Sequence, residues 1–392
     1  MLRFGQQTYL IALSCLAMSF SLDRFVDSFQ SQHRRADSDR ISLTTEDRLE
    51  DMLWWPTKSV ASRGEYIGTE ECAKCHSSTA ASQMSTEMAL TSSRSVDSAF
   101  LDGHGALAFQ QAPYSYEIER KGDAIRYSVG DGQSFISQPL LFAFGQGIVG
   151  HTYIYQVGEN FFESRLSYYS ALKALDLTTG HLRSVPPDLE RALGRLLEPR
   201  EAKKCFGCHT TASTTANHFD PSKSLAGVTC EACHGPGSKH VHAMKTGQIE
   251  EGKKNILNPS GLNPVTSVDF CGACHRTSGD VIQMGIKGVA TFRFQPFRLE
   301  ESRCWSGTSG QLTCLTCHNP HEPLVHESGS YDHACLRCHA QSSSRNLGSD
   351  RRITACRISN KNCVSCHMPK IEIPGMHHAF TDHRIRIVRD AA

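Results

Sequence analysis

The chain has 392 residues, 17 cysteines and a formal charge of +1. Its balance of 41 Lys and Arg against 40 Asp and Glu excludes a strongly basic nucleic-acid binder, so no nucleic-acid partner is expected. With 39% hydrophobic residues it is poorly supplied for an ordinary apolar core, least of all in its C-terminal half.

Residues 1–22 read as an export signal or a retained anchor. Arg3 precedes the apolar run Tyr9–Phe20, which is short for a membrane span and suits a signal-peptide core. Ala17-Met-Ser19 offers a cleavage site, and Cys15 raises the competing reading of a lipid-modified cysteine. Association with a membrane through this segment is one expectation. Residues 23–62 are polar. Thr44 and Asp47 suit the cap of a short helix that Trp54-Trp55-Pro56 would end, the tryptophans either sealing an apolar corner or stacking on a flat group.

Residues 63–100 hold the first of seven copies of Cys-x-x-Cys-His, at Cys72, Cys75 and His76. The others are Cys205, Cys208, His209; Cys230, Cys233, His234; Cys271, Cys274, His275; Cys314, Cys317, His318; Cys335, Cys338, His339; and Cys363, Cys366, His367. This pentapeptide is the attachment signature of c-type haem: two thiols add across the porphyrin vinyl groups, and the histidine ligates iron from the proximal side. Cys-x-x-Cys also serves thioredoxin-like and zinc sites, but neither requires a histidine directly after the second cysteine. Seven covalent haems c are therefore expected. Such attachment takes place outside the cytoplasm, so the chain should be exported to a periplasmic or other extracytoplasmic location.

After the first motif, Ala80–Arg94 is helix-prone and carries Met84 and Met88, four apart on one face. No histidine lies between His76 and His104, so Met88 is the candidate distal ligand for the first haem, with Met84 second; the plainer reading is that both are core. Residues 101–170 alternate in four stretches, Tyr114–Glu119, Ile125–Val129, Tyr153–Val157 and Phe161–Leu166, with Gly/Asp turns between them. They predict a small antiparallel β insertion. The Gly-rich Phe144–Gly150 lacks the Lys-Ser/Thr ending of a phosphate loop. Residues 171–204 form a helical connector, with Pro187–Leu197 as an amphipathic helix.

Within the last segment, residues 205–392, six motifs fall between Cys205 and His367, at about 27 residues each, too few to close a core unaided. The haems themselves should be the core, and the haem-free chain should be largely unfolded. The fold class expected is a mainly α, haem-packed multihaem cytochrome c with little regular structure and a small antiparallel β insertion between the first and second haems. Twice, proline turns the chain just after a motif and presents further histidines: Gly235-Pro-Gly-Ser-Lys-His240-Val-His242 and Asn319-Pro-His321. These can reach a neighbouring haem, which points to bis-histidine coordination.

These stretches, with Arg293–Cys304, Cys363–Lys370, His378–Ile385 and Tyr66–Cys72, resemble multihaem cytochromes c of the cytochrome c-554 type, a group related to hydroxylamine oxidoreductase and the pentahaem nitrite reductases. The resemblance implies a mainly α fold, stacked haem pairs and bis-histidine irons, with His240, His321 and His383 as distal ligands. His218, His242, His326, His333, His377 and His378 compete for the remaining haems, since thirteen histidines lie outside the motifs. Two departures stand out. There is no Cys-x-x-Cys-Lys motif of the nitrite reductases, and the β insertion has no counterpart in the small tetrahaem members. Cys304 and Cys356 are expected to form a disulfide in an oxidising compartment, two free thiols being the alternative.

Three functions compete. The first is an electron carrier between redox partner proteins in an extracytoplasmic respiratory chain. The second is an oxidoreductase with one open haem acting on a small nitrogen or sulfur compound, using His104, His151 or Tyr153 as acid/base groups. The third is a structural subunit that docks onto a larger redox complex through its β insertion.

Overall fold

The computed structural model describes residues 61–97, 105–145, 148–216, 218–340 and 356–388. The signal or anchor segment, the Thr44–Leu53 helix, Trp54, Trp55, Cys15 and His104 lie outside the described residues.

Alternation in the sequence becomes a sheet much larger than an insertion. Among the described residues it has nine antiparallel strands: β1 (Ser92–Arg94), β2 (Ala106–Gln111), β3 (Tyr114–Lys121), β4 (Ala124–Gly130), β5 (Phe135–Phe144), β6 (Gly150–Val157), β7 (Asn160–Tyr169), β8 (Ala174–Leu177) and β9 (Gly194–Leu196). Strands β2 to β8 follow one another as a meander, while β1 pairs with β5 and β9 with β7. The expectation of a mainly α fold with a small β insertion is thereby corrected.

The physical reason lies in bulges. In β3 and β4 the residues Tyr114, Tyr116, Ile118, Ile125, Tyr127 and Val129 all point inward, with Ile118 opposite Tyr127 and Tyr116 opposite Val129. This is the clean period of two. In β5 one extra residue enters between Leu140 and Phe142, and between β6 and β7 the register shifts where Thr152 and Ile154 face Ser167 and Glu163. The β5 bulge turns the side chains that follow it to the other face. The run Leu140–Phe144 therefore reads as continuously apolar, and Pro139 hides the strand further.

The two faces bury different things. One packs a core of tyrosines and aliphatics, among them Tyr116, Tyr127, Tyr153, Tyr155, Leu166, Leu175 and Ala192. The other gathers Phe142, Phe144 and Ile154 around Phe206. The sheet also curls towards closure, because a strap at 181–186 crosses its open side. Arg165 Nη2 donates to the carbonyls of Leu182 (2.8 Å) and Ser184 (2.9 Å) and to Gln111 Oε1 (3.1 Å). Gln111 Nε2 in turn donates to the Arg183 carbonyl at 2.8 Å.

Helices are short. The stretch expected as one helix over Ala80–Arg94 is a helix only at Ser77–Gln83, so Met84 and Met88 do not share a helical face; Met84 is exposed and Met88 lies in a turn. The helix expected over Pro187–Leu197 spans Leu189–Leu193 and gives way to β9. The Gly-rich Phe144–Gly150 is the β5–β6 connection. Beyond Phe206 the buried apolar side chains are scattered, Val268, Val281, Phe294, Leu299 and Ile373 among them, while Val265, Ile282, Val289, Leu315 and Leu324 are exposed. None of the described helices is long and apolar enough to cross a membrane.

The sheet thus carries its own apolar core and the region after it does not. In chain produced without haem attachment, hydrogen exchange should show protected amides through β3–β7 and fast exchange across 218–340. Equal protection of both regions would contradict this reading.

Candidate haem-binding site

Five motifs sit on a short helix that ends on the motif histidine, Pro199–His209, Cys230–His234, Pro264–His275, Asp332–His339 and Cys363–His367, while the helices at the first and fifth motifs, Thr69–Ala73 and Cys314–Thr316, stop short of it. The second motif is held by the sheet. Phe206, between its cysteines, inserts edge-on among Phe142 (4.9 Å) and Phe144 (5.0 Å). The His209 ring lies parallel to Phe144 at 5.0 Å. Glu201, one turn before Cys205, takes a bidentate pair of hydrogen bonds from Arg195 at 2.7 and 2.9 Å, and Arg195 also donates to Glu163 on β7.

Several ring orientations are fixed through Nδ1. His209 Nδ1 lies against both the Thr91 hydroxyl (2.8 Å) and the Thr91 carbonyl (3.2 Å). His234 faces the Leu257 carbonyl (2.7 Å), His240 that of Gly252 (2.8 Å), His367 that of Arg386 (2.9 Å) and His383 that of Thr381 (3.0 Å), and for these four the tautomer is set. A carbonyl only accepts, so Nδ1 carries the proton and Nε2 keeps the lone pair that binds metal. Burial holds His209, His275 and His318 below the usual imidazole range, and it pushes His383 down to about 4. These rings are neutral near pH 7, the form that ligates iron.

Two ring pairs test whether the chain fits an iron. His234 and His321 stand 6.0 Å apart between centroids, with planes 7° from parallel. His318 and His383 stand 6.2 Å apart. Two metal–nitrogen bonds of about 2 Å, plus about 1 Å from each nitrogen to its ring centre, add to roughly 6 Å. Both pairs therefore have the spacing of axial ligands on one iron.

The attachment cysteines also meet across motifs. In the haem protein these sulfurs are thioethers, so thiol contacts mark where attachment points adjoin. Cys72 hydrogen-bonds with Cys230, Cys271 with Cys314, and Cys335 with Cys363. Cys233 lies near Cys271, and Cys317 near Cys335. Cys208 reaches the Ala273 carbonyl at 3.8 Å and packs with Cys274. The order in space is first, third, fourth, fifth, sixth, seventh, with the second motif joined to the fourth.

The residue types and the ring spacing fit covalent haem c. The family model described as cytochrome c554 and c-prime matches residues 183–235, which contain the second and third motifs. The chain is a multihaem c-type cytochrome. The multiheme cytochrome MtrA of Shewanella baltica (strain OS185) is 27% identical over 199 residues, covering 47% of this chain and 48% of that protein. This cytochrome thus spans about half the length of that curated relative. A solved structure, the outer cell wall cytochrome OcwA, superposes with a TM-score of 0.47 at 13% identity, covering 83% of this chain and 80% of that one.

The other candidates separate by their partners. His377 Nε2 donates to Asp176 at 2.8 Å, so that nitrogen is committed to a carboxylate. His333 holds its Nδ1 against the Ser330 carbonyl and is exposed. His378 packs edge-on to Phe380, His218 sits in a two-stranded ribbon, and His242 lies on the helix Ser238–Lys245 with His240. His326 is exposed. The carbonyl of Met88 accepts from the Val228 amide at 2.9 Å. Tyr153 is packed in the sheet core, and burial lowers the basicity of His151. Cys304 and Cys356 are both free thiols, so the expected disulfide is corrected: Cys304 is half-buried beside Cys335 and Cys338, whereas Cys356 is exposed.

Two features went unread in the sequence. Asp382, fully buried next to His383, receives Arg298 at 2.8 and 2.9 Å and also pairs with Arg386. Burial drives its carboxyl up, but these cations and the Arg384 amide hold it below the usual carboxylate range. Removing one partner of such a buried pair costs about 3–5 kcal/mol. The other is Glu231, inside the third motif. A charge beside a Gly-Pro-Gly turn was its only signal.

Replacing His321 or His383 by alanine should each turn one haem from low-spin to high-spin in the oxidised protein, read by electron paramagnetic resonance. Unchanged low-spin spectra in both variants would contradict the pairings.

Proposed function

We propose that this cytochrome carries seven haems and moves electrons between redox partner proteins of an extracytoplasmic respiratory chain. The observation that carries the reading is the unbroken run of adjoining attachment points from the first motif to the seventh. Bound haem supplies the Fe(III)/Fe(II) couple. The chain supplies spacing, through cysteines that meet across motifs, and ligation, through imidazoles whose Nδ1 protons are committed to carbonyls. His234 with His321 and His318 with His383 would close the axial positions of two irons. Closed positions favour electron exchange over ligand chemistry. Export follows from the chemistry of haem attachment, and the relationship to MtrA supports a multihaem role. The segment 1–22 would direct that export, as a cleaved signal or as a membrane anchor. His240, with Nε2 left for metal, and Met88 are proposed for two further irons.

Low-temperature electron paramagnetic resonance of the fully oxidised protein should show low-spin ferric signals only. A high-spin signal that responds to nitrite, hydroxylamine or cyanide would put an open haem, and hence catalysis, in place of this reading.

A further inference from the structure

Glu231 lies between the two cysteines of the third motif and is 1% exposed. Its Oε1 accepts from the amides of Ile67 (3.0 Å) and Gly237 (2.8 Å), and its Oε2 from that of Gly68 (2.8 Å). Two donors belong to the segment that leads into the first motif. The third closes the Gly-Pro-Gly turn after the third motif. The approach is tight: a Cβ on Gly237 would meet Ile67 Cδ1 at 2.9 Å. Charge-assisted bonds to backbone amides are among the stronger ones a chain can make. Here they join segments 163 and 164 residues apart.

The partners described for this carboxylate are all amides, with no Lys or Arg among them. Cys72 and Cys230 touch directly beside it, and its negative charge acts on both sulfurs. A buried charge without a counter-ion costs desolvation, and a neutral group of similar size could hold much of the same turn. The charge itself therefore calls for a role. A fixed negative charge in a low-dielectric site stabilises the oxidised state of an adjacent iron over the reduced state.

We propose that Glu231 is a positioning residue with two effects: it clamps the first attachment site to the third, and its charge keeps the haems at both sites at low potential. The proposal rests on the reading of these motifs as haem sites. One electron enters this pair and one leaves it, and Glu231 exchanges neither bond nor proton.

The test compares full-length haem protein with Glu231→Gln, Glu231→Asp and Glu231→Ala. Haem mapping of motif peptides by mass comes first. Haem absent from the first and third motifs of the unaltered protein would overturn the underlying reading and the proposal with it. Given full loading, a redox titration of Glu231→Gln should show two midpoint potentials shifted upward and the rest in place, with Glu231→Asp restoring low values. Glu231→Ala should lose exchange protection at Ile67 and Gly68. If it fails to load haem at the first and third motifs while Glu231→Gln loads fully, that also supports the clamp. Fully loaded Glu231→Gln with unmoved midpoints, or with an equal shift at every haem, would overturn the role of the charge. Unchanged protection at Ile67 and Gly68 in Glu231→Ala would overturn the clamp.

Discussion

About 27 residues per motif cannot close an apolar core around themselves, and everything after Cys205 depends on that shortage. The helices described there are short, the longest being Pro264–His275, and their apolar side chains are divided between exposed and buried positions. What organises the region is the set of points where a flat, covalently held group must sit. Cysteines of different motifs adjoin, imidazoles oppose one another at about 6 Å, and carbonyls fix the rings. Polar anchors then take over the work that apolar packing does elsewhere. Glu231 ties the third motif to the approach to the first, and Arg298 with Asp382 ties the segment carrying His383 to the helix Gln295–Glu300.

The sheet answers to the opposite condition. It has aromatic and aliphatic residues enough for a core of its own, and it offers one further apolar patch to the second motif through Phe142, Phe144 and Phe161. Phe206 occupies a position that the haem-attachment chemistry leaves free, and uses it to dock. The second motif is thus the joint between a self-sufficient sheet and a cofactor-dependent region. It also stands off the main line of attachment points, reaching the others through the fourth.

How much was legible follows from how local each signal is. The attachment motif is five consecutive residues, so all seven copies could be read directly. Alternation revealed β3, β4, β6 and β7. The bulged β5, the shifted register between β6 and β7 and the short strands β1, β8 and β9 lack a sustained period, so the extent of the sheet was lost and an α fold was expected instead. Met84 and Met88 were four apart in sequence, but the helix stops at Gln83. The ring that stands opposite a motif histidine can lie 87 positions away, as His321 does from His234, and spacing carries no trace of that. His321 and His383 came from resemblance, and the structure places a motif histidine about 6 Å from each. Glu231 was passed over because the two residues between motif cysteines look like spacers.

The central claim is that haem irons lie along the run of adjoining motifs and fill the place of a core. Anomalous diffraction at the iron edge from crystals of the exported protein tests it most directly. Seven iron positions should appear in the order first, third, fourth, fifth, sixth, seventh, with the second beside the fourth. One iron should stand between His234 and His321, and another between His318 and His383. Fewer than seven irons, or none between those ring pairs, would contradict the account.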